Sequence, residues 1–191
     1  MYQPLIKFHP YPAIITQVLC IFAIRQNYIV MKRILNPWLH TDGYNCFGCA
    51  PHSERGLRME FWEDGDDVVC QWMPRTEFQG WHNTLHGGIQ ATLADEIASW
   101  VIFRKLQTGG VTSKMEVKYL RPIRTDEGAI TLRAHIVEQR RNLVRVAITI
   151  TNSHGERATE VECLYFTFPQ ERAREEFHFL PFFTEDEVSE Y

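Results

Sequence analysis

The chain has 191 residues, of which 45% are hydrophobic and 23% charged, a globular balance with enough length to bury a core. Its formal charge of −4 hides an acidic tail, residues 170–191, where seven acids against two arginines carry −5 and leave +1 for the rest. A body so near neutral lacks the broad basic surface that nucleic-acid binding needs, so nucleic acid is excluded as a partner and any anion site must be a local cluster.

Residues 1–37 read as an N-terminal extension. Their apolar run, 13–24, is interrupted by Thr16 and Gln17 and is too short to cross a bilayer as a helix. It also lacks the basic lead and small-residue cleavage site of an export signal. Met31-Lys32-Arg33 looks like a second start, so residues 1–30 are expected to be a start-site extension or a loose arm. Five cysteines, an odd number, then imply reduced thiols and a cytoplasmic, non-membrane protein.

The main domain is expected over 38–169. Residues 38–55, rich in Gly, Asn, Cys, His and Pro, read as an ordered loop. A hairpin follows, with strands at 56–63 and 67–73 around the turn Glu63-Asp64-Gly65-Asp66. From 86 to 105 the period becomes helical, with Ile89, Leu93, Ile97 and Val101 four apart, and Gly109-Gly110 is expected to stop the helix. Four alternating segments come next, at 111–120, 129–138, 143–151 and 157–168. In the first, Val111, Met115, Val117 and Tyr119 fall on one side, and Thr112, Lys114, Glu116 and Lys118 on the other. Two strands, one apolar helix and four strands suit an α+β protein of the hotdog type, an antiparallel sheet wrapped around one central helix.

The start of that helix carries the chemistry. In His86-Gly87-Gly88 two glycines leave backbone N–H groups uncovered at the positive end of the helix dipole, where a substrate carbonyl can approach. An N–H aimed at the oxyanion of the tetrahedral intermediate is worth roughly 3 to 4 kcal/mol. At 100° per residue, Gly88, Thr92, Asp95 and Ser99 share a face opposite Leu93 and Ile97. Asp95 lies about 10 Å along the axis from Gly88, too far to activate water against a carbonyl held there. A homodimer in which Asp95 of one chain faces the Gly87-Gly88 helix start of the other removes the difficulty. Glu96 turns about 100° away from Asp95 and is the weaker candidate.

Cys-Phe-Gly-Cys at 46–49, His-Gly-Gly ahead of Asp95, and Val111-Thr112 ahead of Tyr119-Leu-Arg-Pro122 together resemble the PaaI-type branch of the 4-hydroxybenzoyl-CoA thioesterase superfamily, from about Asn45 to Phe168. The resemblance implies a homodimer, or a dimer of dimers, that hydrolyses an acyl-CoA with Asp95 as general base or nucleophile. It favours Gly88 over Gly87 as carbonyl donor, and gives the Thr112 hydroxyl the task of orienting water or the carboxylate. Many relatives place an Asn or Gln six or seven residues before the motif His; here Gln79 or Asn83 is left to assist the carbonyl.

Other residues have plainer readings. His86, at a helix start, is expected to cap or pack by donating to nearby backbone, lining the substrate site rather than acting as base. Cys46 and Cys49, near His40 and His52, lack a second ligand pair for a closed zinc site and read as a packed loop, so no metal or redox cofactor is expected and coenzyme A enters only as part of the substrate. Arg121, Arg124, Arg140 and Arg141 flank strand connections and suit the phosphates of CoA. The aromatic run 177–183 within the acidic tail either covers a groove, binds a partner or docks as a terminus. Against hydrolysis stand two alternatives: a non-catalytic acyl-CoA or lipid-binding hotdog protein, and a hotdog dehydratase, which would need a catalytic His.

Overall fold

A computed structural model describes residues 31–188; the expected start-site extension, residues 1–30, lies outside them. Seven strands form one antiparallel sheet: β1 (Lys32–Arg33), β2 (Trp62–Asp64), β3 (Asp67–Trp72), β6 (Gly110–Tyr119), β7 (Ile130–Arg140), β8 (Leu143–Thr151) and β9 (Arg157–Thr167). Their spatial order is β1-β2-β3-β7-β8-β9-β6, so the strand that follows the helix in sequence lies at one edge. A small hairpin, β4 (Gln79–Trp81) and β5 (Thr84–Leu85), leads into the helix α1 (Gly87–Leu106).

The hotdog arrangement follows from the apolar helix. Leu93, Ala94, Ile97, Ala98, Val101 and Ile102 of α1 are buried against the inward-facing Leu132, Ala134, Val146, Ile148, Val161 and Cys163 of the sheet. Gln107, in the left-handed conformation at φ 51°, ends the helix before the glycine pair is reached. Its side chain makes that possible, donating to the Arg104 carbonyl as the backbone turns.

The hairpin holds, but its first strand is only Trp62–Asp64 rather than 56–63. Leu57 and Met59 donate their N–H groups to the carbonyls of Phe47 and Gly48, so this segment lies along the preceding loop instead of joining the sheet.

The largest departure is in β6. It pairs with β9, Val111 opposite Phe166 and Thr112 opposite Tyr165, then Lys114 opposite Leu164 and Met115 opposite Cys163. Ser113 is the extra residue of a β-bulge, and it shifts the alternation by one. Thr112 therefore shares the inner face with Met115 and Val117 rather than lying on the opposite side with Lys114. A strict period of two cannot anticipate a bulge.

Both expected domain boundaries move outward. Residues 31–37 belong to the folded unit, with Lys32 and Arg33 paired to Glu63 and Trp62 and Ile34 in the core. The tail is docked as well, through α2 (Gln170–Phe177) and α3 (Glu185–Val188). Phe182 is fully buried, with its ring 4.9 Å from Trp38 and 5.1 Å from Trp100, and Thr184 bridges to Ile34. Arg104 secures this corner: Nε donates to Glu63 at 2.7 Å, one terminal nitrogen to Glu187 at 2.8 Å, and the other to the Phe182 carbonyl at 3.0 Å.

Burial pushes the Glu63 carboxyl up, but the hydrogen bonds and charges of Arg104 and Lys105 outweigh it and hold the group below its ordinary value. A depressed carboxylate contributes stability above its unfolded pKa and loses it as pH falls through the folded one. Chemical denaturation is therefore expected to show Arg104→Ala less stable by about 2 kcal/mol at pH 7. The gap between wild type and Glu63→Gln is expected to shrink as pH is lowered from neutrality to below 4.5, the ordinary value of the group.

Candidate active site

His86 is the N-cap of α1. Its carbonyl accepts from the N–H groups of Ile89 and Gln90, and its ring Nδ1 accepts from Gly88 N–H at 2.8 Å. The ring thus caps as expected but accepts rather than donates, which fixes the proton of the neutral imidazole on Nε2. Gly88 N–H is therefore occupied within the subunit. Gly87 N–H has no acceptor among the described residues and is the open donor at the helix start.

Tyr119 crosses over this point from the end of β6, its hydroxyl donating to the Gly87 carbonyl at 2.7 Å. A Cβ at position 87 would meet the Tyr119 ring at 3.1 Å, so a side chain there would require the ring to give by a few tenths of an ångström. Around them lies a 790 Å³ cleft lined by Trp81, Leu85, His86, Gly87, Tyr119 and Arg121, among others. Behind it, buried Gln90 donates to the Leu85 carbonyl and accepts from Thr159, locking the helix start to the sheet.

Two turns along the helix, Asp95 Oδ1 accepts from the Thr112 hydroxyl at 2.5 Å and from Tyr165 Oη at 3.2 Å. Tyr165 also donates to the Asp95 carbonyl at 3.0 Å. The bulge at Ser113 brings Thr112 into this group, opposite Tyr165 on the neighbouring strand. Burial, and then the Asp95 charge, push the Tyr165 phenol up, so it remains a donor. Burial likewise pushes the nearby Cys163 thiol up to about 12. Both donors serve Oδ1, and Oδ2 accepts from no described residue. A carboxylate anchored through one oxygen keeps the other for a water or a carbonyl carbon.

The remaining sequence-expected residues divide. Gln79 Oε1 accepts from Asn83 N–H, and the Asn83 amide donates to Asp126 at 2.7 Å. Both thus hold the β4–β5 hairpin, with Asn83 at φ 53°, and neither lines the cleft. Arg121 does line it. Arg124 is paired with Asp126, whereas Arg140 is paired with Glu138, and Arg141 sits with Leu106 and Phe168 near the opposite end of α1. In one subunit the four arginines therefore form two groups at opposite ends of the sheet. Trp81, 83% exposed beside the cleft, and Tyr165 escaped the sequence reading; Tyr165 was detectable only as an inward polar position on an apolar strand.

On the other side of the helix, Glu96 accepts from Trp100 Nε1 at 3.1 Å and lies 3.6 and 3.7 Å, through its two oxygens, from Cys46 Sγ. Tyr44 Oη is 3.0 Å from Cys49 Sγ. Burial pushes the Glu96 carboxyl up, and the Cys49 thiol and backbone N–H groups hold Cys46 below the ordinary thiol range.

Residues 82–159 match the profile of the Thioesterase superfamily. Acyl-coenzyme A thioesterase 13 from Homo sapiens, like its Pongo abelii counterpart, is 30% identical over 86 residues, which is 44% of this chain and 61% of that protein. The chain thus spans about three-fifths of the length of the curated relatives it matches. A hypothetical thioesterase from Streptococcus pneumoniae, solved with coenzyme A, is 26% identical with a TM-score of 0.52 over 55% of this chain and 83% of its own. The PaaI protein of E. coli shares the fold at 19% identity, with a TM-score of 0.54 over 59% of this chain and 81% of its own.

His86→Ala, which removes an N-cap acceptor, is expected to cost about 1 kcal/mol in urea unfolding, and His86→Asn to recover most of it. Equal stabilities for all three proteins would contradict the capping role.

Proposed function

We propose, on the premise that residues 82–159 belong to the thioesterase superfamily and lie within a hotdog fold like that of PaaI, that this protein hydrolyses acyl-CoA thioesters to the free acid and CoA. The observation that carries the reading is Asp95, anchored through Oδ1 by Thr112 and Tyr165 with Oδ2 left open. The thioester oxygen is received by Gly87 N–H in place of the Gly88 N–H that the family resemblance favours, because His86 occupies the latter. Asp95 Oδ2 either takes a proton from the attacking water or attacks the carbonyl carbon itself. Coenzyme A enters only as part of the substrate, and the chemistry uses the chain's own groups and water.

Gly87 and Asp95 are separated by about 12 Å along one helix, so the reading requires two subunits. The edge strand β6 supports a specific pairing. Among the described residues its ladder partners lie only on the β9 side, which leaves a ten-residue edge without a partner there. Antiparallel pairing of two β6 strands about a twofold near the middle of the strand brings the Thr112 end of one subunit beside the Tyr119 end of the other. Thr112 holds Asp95 and Tyr119 covers Gly87, so each carboxylate is carried toward the partner's helix start. The same pairing brings the Arg140–Arg141 turn of one subunit toward the Arg121 cleft of the other, a path suited to CoA phosphates.

No helix of the described residues is long and apolar enough to cross a membrane, and four of the cysteines are free thiols, in keeping with a cytoplasmic setting.

A free-thiol release assay across short, long and aromatic acyl-CoAs tests the reaction. Asp95→Asn is expected to lower kcat by about 10²–10⁴-fold, and Thr112→Ala by roughly ten- to a hundredfold, with little change in KM. Hydrolysis indifferent to Asp95→Asn would overturn the mechanism, and absence of turnover on every acyl-CoA would leave a binding protein. In sizing experiments the active species is expected to be a dimer; a fully active monomer would contradict the shared site.

A further inference from the structure

We propose that Cys46, Cys49 and Glu96 bind one thiophilic divalent cation of the zinc class, which fastens the loop between β1 and β2 to the helix that carries Asp95. The site is independent of the hydrolytic reading and lies on the side of α1 away from the Asp95–Thr112 pair.

Three observations carry it. First, the two sulfurs and a Glu96 oxygen all lie within 4.8 Å of one another, three donors converging from a loop and a helix fifty residues apart in sequence. A tetrahedral ion with Zn–S near 2.3 Å and Zn–O near 2.0 Å separates sulfur from oxygen by about 3.5 Å. Cys46 Sγ stands 3.6 and 3.7 Å from the two Glu96 oxygens, close to that spacing. Second, the loop is shaped around the carboxylate: a Cβ at Gly48 would sit 2.3 Å from Glu96 Cδ and Oε2, so only glycine between the two cysteines lets all three donors converge. Third, outer groups already hold the donors. Trp100 Nε1 donates to Glu96 Oε1, and Tyr44, which accepts from Asn36 Nδ2 at 2.7 Å, has its own proton to give to Cys49 Sγ. Oriented ligands with hydrogen-bonded partners are what a metal site requires beyond its first shell.

Two thiolates and a carboxylate favour zinc over magnesium or calcium, which prefer all-oxygen sets. The fourth position falls to water, and Cys49 borders a 340 Å³ cavity through which an ion can enter. The reading from sequence stopped at one cysteine pair because it looked for a second pair or histidines. The third ligand is a helical glutamate that no spacing rule connects to the loop.

The test uses the full-length protein, reduced and stripped with a chelator, then titrated with zinc and, separately, cobalt. One equivalent of zinc per chain is expected, with a rise in Tm of roughly 5–10 °C when free zinc is a hundredfold above Kd. Cobalt is expected to give thiolate-to-metal charge-transfer absorption and the intense visible bands of a tetrahedral ion. Cys46→Ser, at the half-exposed end of the site, is expected to weaken zinc by more than about a hundredfold, beyond the effect of outer-shell changes. Failure to bind one equivalent, a cobalt spectrum without the charge-transfer band, or zinc binding unaltered in Cys46→Ser would each overturn the proposal; the wild-type cobalt spectrum depends on no variant.

Discussion

The burial of the apolar face of one helix governs the rest of the molecule. With a sheet wrapped around it, α1 has little solvent to offer its polar side chains, and an unpaired polar group in such a place costs several kcal/mol. Three polar residues of the helix are accordingly met by partners: Gln90 by Thr159 and the Leu85 carbonyl, Asp95 by Thr112 and Tyr165, and Glu96 by Trp100 one turn along the same helix and by the cysteine loop. The candidate catalytic group and the candidate cation site are two answers to the same demand. They differ in that Asp95 keeps an oxygen open, whereas Glu96 is enclosed.

Much of this was legible in the sequence because burial imposes periodicity. The helix was recognisable from apolar residues four apart, and Leu143–Thr151 was read to the residue because a strand with one buried face alternates cleanly. The bulge at Ser113 was not, since one extra residue leaves the composition of a strand unchanged while reversing its faces. That matters for the site, because Thr112 read as pointing away from the helix when it is the residue that grips Asp95. The choice between Gly87 and Gly88 was equally hidden, since it turns on where a histidine ring nitrogen comes to rest.

Gln79 and Asn83 show a second limit. Position relative to a motif suggested a role at the carbonyl, yet both side chains are committed to a short hairpin whose turn runs through a left-handed asparagine. The carboxylate is oriented and the helix start covered by other residues, Tyr165 and Tyr119. Tyr165 lies seventy residues from Asp95 in sequence, where no local pattern links it to the helix.

The docking of the tail has a consequence for how the chain acquires its fold. Gln107 holds the Phe182 backbone by both ends of its amide, donating to the carbonyl and accepting from the N–H, and Phe182 seals a cluster containing Trp38, Trp100 and Phe103. Because synthesis runs from the N-terminus, those three rings exist on the nascent chain long before the residue that covers them. Until position 184 emerges and bridges back to Ile34, the aromatic corner remains uncovered. The growing polypeptide thus carries an apolar surface that invites chaperones or misassociation until residues 182–184 arrive to cover it.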